Sequence, residues 1–303
     1  MGVATRRFAI AGAALALAGL LSELGFDRSR AVAADAAAVR ILSLGGDVTE
    51  ILYALGQEQK IVAVDTTSQF PASALTDKKS VGYLRALSAE GVLSMNPTLI
   101  IASEQAGPPE VVKAIKGSGV QYVDIAEKQT AESVPEKVRR IGEVVGTASE
   151  AQTLASKIEA EFASLENDRK QIKDRKKVLF VLAVQNGRAT VGGTGTGADA
   201  VLKLAGPDNA AAGVNGYKPV SDEQLAEFSP DAVVVMSRGS GDRHGASTAL
   251  ELPGLSQTPA AKTKSLIEMD SLYLLGFGPR APSAAHDLMK ALYPGSGQTA
   301  ATP

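Results

Sequence analysis

The sequence predicts an α/β protein: two α/β lobes with mostly parallel sheets, bridged by one long helix. Three observations carry this. Apolar strand-like runs alternate with helical periodicity in two separate sets. Between the sets lies an amphipathic stretch with no Gly or Pro from Ser149 to Lys173. The two halves also share an internal repeat. The length of 303 residues leaves room for two such lobes.

In the first set, Val39–Leu44 reads as a strand and Gly45-Gly46 as a turn. Asp47 is then placed to cap a helix over Val48–Leu55, which Gly56 ends. Strands follow at 60–64, 98–102 and 121–124, with a helix at Pro109–Lys116. In the long stretch, Leu154, Ile158, Phe162 and Leu165 recur at three- to four-residue spacing. That periodicity gives a helix of about 37 Å at 1.5 Å per residue. Strands at 178–184 and 232–236 open the second set. A stiff helical link implies a clamp whose cleft is largely preformed.

The repeat aligns Leu87–Pro97 with Val220–Pro230 without a gap, each followed by a strand. Ser88 matches Ser221, Glu90 matches Glu223 and Pro97 matches Pro230. Each copy reads as a Ser-capped short helix, a Pro-marked turn and a buried strand.

Composition narrows the function. The net charge of −2 gives no basic surface for nucleic acid. Cys is absent, which excludes disulfides, thiolate metal sites, a Cys nucleophile and a lipid-anchored Cys. The two histidines, His244 and His286, are too few for a multi-His zinc site. No nucleophile, base and oxyanion set is evident, so no catalytic step is expected. Residues 1–36 read as a signal peptide: Arg6-Arg7, an apolar run Phe8–Leu21, then small residues at Ala31-Val32-Ala33 and Ala34-Asp35-Ala36. The paired arginines fit a twin-arginine signal or an ordinary secretory one. The expected division is signal 1–36, first lobe 37–148, linking helix 149–176, second lobe 177–293 and a disordered tail 294–303.

Four segments together resemble one family. They are Arg40–Gly46 with Thr49–Ile51, Val81–Gly91, Gly195–Ala200 and Leu275–Arg280. The chain resembles the periplasmic haem-binding components of bacterial ABC importers, within the helix-linked (class III) periplasmic binding proteins. The Gly82-Tyr83-x-Arg85-x-Leu87-Ser88-x-Glu90-Gly91 stretch is the specific part. The resemblance implies that ferric haem b, the transported ligand, is held in the inter-lobe cleft with Tyr83 as axial iron ligand. On spacing alone, Tyr83-x-Arg85 fits an ordinary loop tyrosine beside a surface charge better than a ligand pair; the resemblance over the whole segment reverses that preference. The chemistry suits the ligand role, because phenolate is a hard donor for ferric iron. A free phenol titrates near pH 10, so a nearby cation such as Arg85 assists coordination.

Haem propionates call for cationic partners, for which Arg238 and Arg280 are the leading second-lobe candidates beside Arg188 and Arg243. The Gly-rich run containing Gly193, Gly195 and Gly197 has the form of a dinucleotide-binding turn. A Gly-rich loop alone is weak evidence for that, and backbone lying against a porphyrin face is the preferred reading. The resemblance further implies that Glu90 and Glu223 dock on a permease dimer with its ATPase subunits. Other expectations are a monomer in the periplasm or another extracytoplasmic space, with one haem and only peripheral membrane contact through the permease. His244 and His286 read as exposed or structural. The alternatives are a cobalamin or ferric-siderophore carrier and an exported nucleotide-dependent oxidoreductase.

Overall fold

The computed structural model describes residues 39–237 and 246–294. The expected signal peptide, Arg238, Arg243, His244 and the tail beyond Pro294 lie outside the described residues.

In the first lobe the chain runs β1 (Ile41–Leu44), α1 (Gly46–Ala54), β2 (Ile61–Val64), α2 (Ser73–Asp77), β3 (Lys79–Ser80), α3 (Ala89–Leu93), β4 (Leu99–Ser103), α4 (Pro109–Lys116), β5 (Gln121–Ile125) and α5 (Ser133–Val145). Its five strands form an all-parallel sheet in the order β3-β2-β1-β4-β5. The sheet is covered on both faces, so β1 and β4 are buried along their whole length. Ile41 and Ile101 pack toward α1 and α5, while Leu42, Leu44 and Ile100 pack with Leu84, Leu87 and Ile115.

Helix α6 (Ala148–Lys170) is 23 residues long, about 35 Å. Ala151, Ala155, Ile158, Phe162 and Leu165 make its buried stripe. One apolar core runs along this stripe from Ile41 and Ile141 of the first lobe to Val178 and Leu288 beyond it. The α5–α6 turn is tight because Gly142 lies against Ala151; a Cβ on Gly142 would stand 2.1 Å from the Ala151 Cβ.

The second lobe comprises β6 (Lys177–Gln185), β7 (Arg188–Gly192), α7 (Gly197–Ala205), β8 (Asp208–Asn209), β9 (Tyr217–Pro219), α8 (Asp222–Phe228), β10 (Ala232–Ser237), a 3-10 turn (Ala246–Glu251), α9 (Pro259–Thr263), β11 (Leu266–Asp270), α10 (Ser271–Leu275) and α11 (Ala281–Leu292). Its sheet runs β11-β10-β6-β7-β9, with β8 also pairing β6. The β6–β7 and β7–β9 pairs are antiparallel and the others parallel.

The repeat has a common cap geometry. Ser88 accepts the Gly91 N–H at 3.0 Å, and Ser221 accepts the Gln224 N–H at 3.3 Å while Gln224 returns a bond to the Ser221 backbone. Glu90 and Glu223 are therefore both the second residue of a Ser-capped helix, and both are exposed. The cap expected from Asp47 is instead Gly45, at φ 122°. Asp47 lies in the first turn of α1, where its carboxylate pairs with Lys137 of α5.

Candidate functional site

A cleft of about 780 Å³ lies between the lobes. It opens at the carboxyl ends of β1, β2, β4 and β5 on one side, where loops of a parallel sheet carry ligand groups. Its first-lobe wall is polar, with Asp47, Thr66, Thr67, Arg85, Gln105, Glu127 and Gln129. Its second-lobe wall is mainly apolar, with Leu182, Met236, Leu272, Leu275 and Tyr217. The volume falls in the range of about 300–1,000 Å³ usual for small-molecule sites.

Tyr83 stands on the loop between β3 and α3 and lines the cleft with 45% of its surface exposed. The loop is held on both sides. Gly82, at φ 92°, accepts the Thr66 N–H, and the Leu87 and Gly107 N–H groups bond across to Gly107 and Leu84. Leu84 and Leu87 are buried beneath, which leaves Tyr83 and Arg85 facing outward together. Arg85 Nη1 donates to the Tyr83 phenol oxygen at 2.9 Å, and Arg85 Nη2 donates to Gln105. The guanidinium thereby fixes the phenol oxygen in place at the cleft.

Behind the polar wall lies a buried charge cluster that the sequence did not reveal. Lys137, 4% exposed, pairs with Asp47 and, at 3.3 Å, with Glu127. Burial, reinforced by the Asp47 charge, pushes the Glu127 carboxyl up to about 7 despite Lys137. The cluster joins the start of α1 to α5 and fixes the cleft floor.

The other candidates fall in different places. Gly197 lines the cleft opposite Gln129; a Cβ there would meet the Gln129 side chain at 3.3 Å. Gly193 packs on the Val214 backbone, where a Cβ would lie 2.0 Å from the carbonyl oxygen, and neither it nor Gly195 lines the cleft. Asp199, in the same run, is held below its ordinary value: burial opposes the charge, but hydrogen bonds from Lys203 at 2.6 Å and Asn209 at 3.1 Å prevail. The Lys203 bond lies within α7, and the Asn209 bond ties α7 to β8.

Arg280 does not line the cleft. Its Nη2 donates to Glu50 of α1 at 2.9 Å, its backbone N–H donates to the same carboxylate at 3.1 Å, and its guanidinium lies 3.5 Å from the Phe70 ring centre. It clasps one lobe to the other. Arg188 is exposed at the start of β7 and is absent from the cleft lining. His286 faces Asp168 of α6 at 3.5 Å.

Two α/β lobes on one helix, with a preformed cleft between them, have the architecture of a solute-binding protein. The chain belongs to the periplasmic binding protein family, whose model matches residues 41–273. It is a binding protein of the extracytoplasmic transport class, not an enzyme. The periplasmic heme-binding protein RhuT from Roseiflexus sp. RS-1, in apo form, has a similar structure: TM-score 0.80, 37% identity, covering 85% of this chain and 98% of that one. The uncharacterised ABC transporter substrate-binding lipoprotein YvrC of Bacillus subtilis (strain 168) is 27% identical over 84% of this chain and 80% of its own length. The vitamin B12-binding protein of Pectobacterium atrosepticum is 22% identical over 84% of this chain and 88% of its own.

Proposed function

We propose that this protein captures ferric haem b in the inter-lobe cleft and delivers it to an ABC-transporter permease. The observation that carries the reading is the Tyr83 phenol at the cleft, its oxygen held by Arg85 at 2.9 Å. Bound haem would take Tyr83 oxygen as its iron ligand, with the phenolate form supplied by the iron's own charge. The apolar second-lobe wall suits a macrocycle face, while the polar rim suits the propionates. In this reading Arg238, next in sequence after β10, is the candidate cation for a propionate. Gly197 gives backbone access to the ligand. In this reading residues 37–148 and 177–293 are the two lobes and 149–176 the link. The chain acts as a monomer exported by a twin-arginine or general secretory signal, and binds one haem. Glu90 and Glu223 meet the permease, one from each lobe.

The test is an absorption titration of the mature protein with ferric haem beside Tyr83→Phe. The wild type gives a saturable spectrum of Tyr-ligated ferric haem, and the variant loses that signature. A second reading, a cobalamin carrier, is favoured by the vitamin B12-binding relative. It predicts saturable cyanocobalamin binding, left intact in Tyr83→Phe, and no haem spectrum.

A further inference from the structure

The repeat extends further toward the N-terminus than its ungapped core. Gly82-Tyr83 precedes the Ser88 cap by five residues from the tyrosine, and Gly216-Tyr217 precedes the Ser221 cap by four. Both glycines have positive φ, 92° and 75°, so each tyrosine follows a glycine in the left-handed region. Both tyrosines line the cleft, one from each lobe. Arg85, which holds the Tyr83 oxygen, is also near enough for its charge to act on the Tyr217 phenol.

The two positions differ in chemistry. Two residues beyond Tyr83 stands Arg85, whereas two residues beyond Tyr217 stands Pro219, which has no side-chain cation. The Tyr217 oxygen accepts the Ala198 N–H at 3.4 Å, and burial pushes its phenol up. The ring itself is well supported. Phe180 lies behind it at 6.3 Å between centres, tilted by 58°. Gly192 is its cross-strand neighbour, and a Cβ there would stand 3.1 Å from the ring edge. Yet Tyr217 remains 39% exposed, toward the cleft. A rigid aromatic ring with one supported side and one free side suits contact with a flat ligand.

We propose that Tyr217 is the second-lobe positioning residue of the cleft: its ring seats against the macrocycle opposite Tyr83 and orients it without coordinating the metal. This rests on the haem reading above, in which Tyr83 alone supplies the iron ligand.

The mature protein and its Tyr83→Phe, Tyr217→Phe, Tyr217→Ala and Tyr217→Leu variants are titrated with ferric haem, reading both affinity and iron-ligand spectrum. Tyr217→Phe keeps the ring and binds within about twofold of wild type, with an unchanged spectrum. Tyr217→Ala and Tyr217→Leu bind about five- to tenfold more weakly, and the haem they bind keeps the Tyr-ligated spectrum. Leu fills the space against Phe180, so it serves where Ala fails to fold. Wild-type affinity in Tyr217→Leu overturns the contact, while loss of the signature in Tyr83→Phe leaves the haem reading standing. A changed iron-ligand spectrum in Tyr217→Phe overturns the proposal in the other direction, by making Tyr217 a ligand. If the wild type gives no saturable haem spectrum, the haem reading falls and the proposal falls with it.

Discussion

The Glu50–Arg280 pair ties the lobes together through a buried carboxylate, and removing one partner gives a large, specific effect. Glu50 has a side chain 5% exposed and accepts two bonds from Arg280, one from the guanidinium at 2.9 Å and one from the backbone at 3.1 Å. The Arg280 guanidinium also stacks on Phe70. Arg280→Met leaves Glu50 buried and short of its charge partner, and losses of this kind cost about 3–5 kcal/mol. Arg280 is 28% exposed, so water reaches the vacated site and the lower end, about 3 kcal/mol, applies. At about 2–4 °C per kcal/mol for a protein of this size, the melting temperature falls by about 6–12 °C. Glu50→Gln and the double variant complete the cycle. The coupling energy from chemical denaturation is expected at about 2 kcal/mol, since the double variant removes both charges together. Additive single effects would refute the clasp. So would unchanged melting of Arg280→Met accompanied by a large loss of haem affinity, which would return Arg280 to a propionate.

Three further outcomes are expected. The Glu127 carboxyl, raised from its ordinary 4.5 to about 7, keeps a proton in the folded state that the unfolded chain releases. Its contribution to stability therefore falls as pH rises from 4.5 to 7, and Glu127→Gln removes that slope; identical denaturation profiles of variant and wild type across this range would contradict it. Gly142→Ala forces a methyl against Ala151 and lowers stability by about 1–3 kcal/mol, measured by denaturant unfolding. Glu90→Ala with Glu223→Ala leaves folding and haem affinity unchanged, since both carboxylates are exposed; haem uptake by cells carrying the importer falls, and normal uptake would reject the docking role.

Local patterns were legible where local physics decides. The helix at Pro109–Lys116 agrees with its sequence expectation at both ends, because Pro starts it and Gly117 follows it. The buried strands agree to within a residue or two, since their apolar runs are bounded by polar turns. What failed was long-range. Asp47 reads as a cap by its place before an apolar run, but its partner, Lys137, lies 90 residues away. The short edge strands β3, β8 and β9, two or three residues each, are set by their neighbours and carry no periodicity of their own. Gly193 and Gly197 look alike in a Gly-rich run; only their surroundings separate packing on Val214 from access to the cleft. Tyr217 had a signal, the Gly-Tyr pair ahead of the second Ser cap. A one-residue slip in the repeat hid it from an ungapped alignment.

The cleft's asymmetry follows from the same duplicated plan. Each lobe presents a tyrosine after a positive-φ glycine and a glutamate after a Ser cap, but only the first lobe follows its tyrosine with an arginine. The first-lobe wall gathers Arg85, Gln105, Gln129 and the Asp47–Lys137–Glu127 cluster, while the second offers Leu182, Met236, Leu272 and Leu275. A ligand that is polar throughout would leave the apolar wall wet, and one that is apolar throughout would strip water from the polar wall without replacing its hydrogen bonds. A flat macrocycle with an electrophilic centre and charged edges satisfies both walls at once. The close approach of the lobes at Gly46, where a Cβ would stand 2.6 Å from Leu272, holds the walls at a fixed spacing. In the proposed reading, selection then rests on shape and on the Tyr83 oxygen, with little energy diverted to closing the clamp.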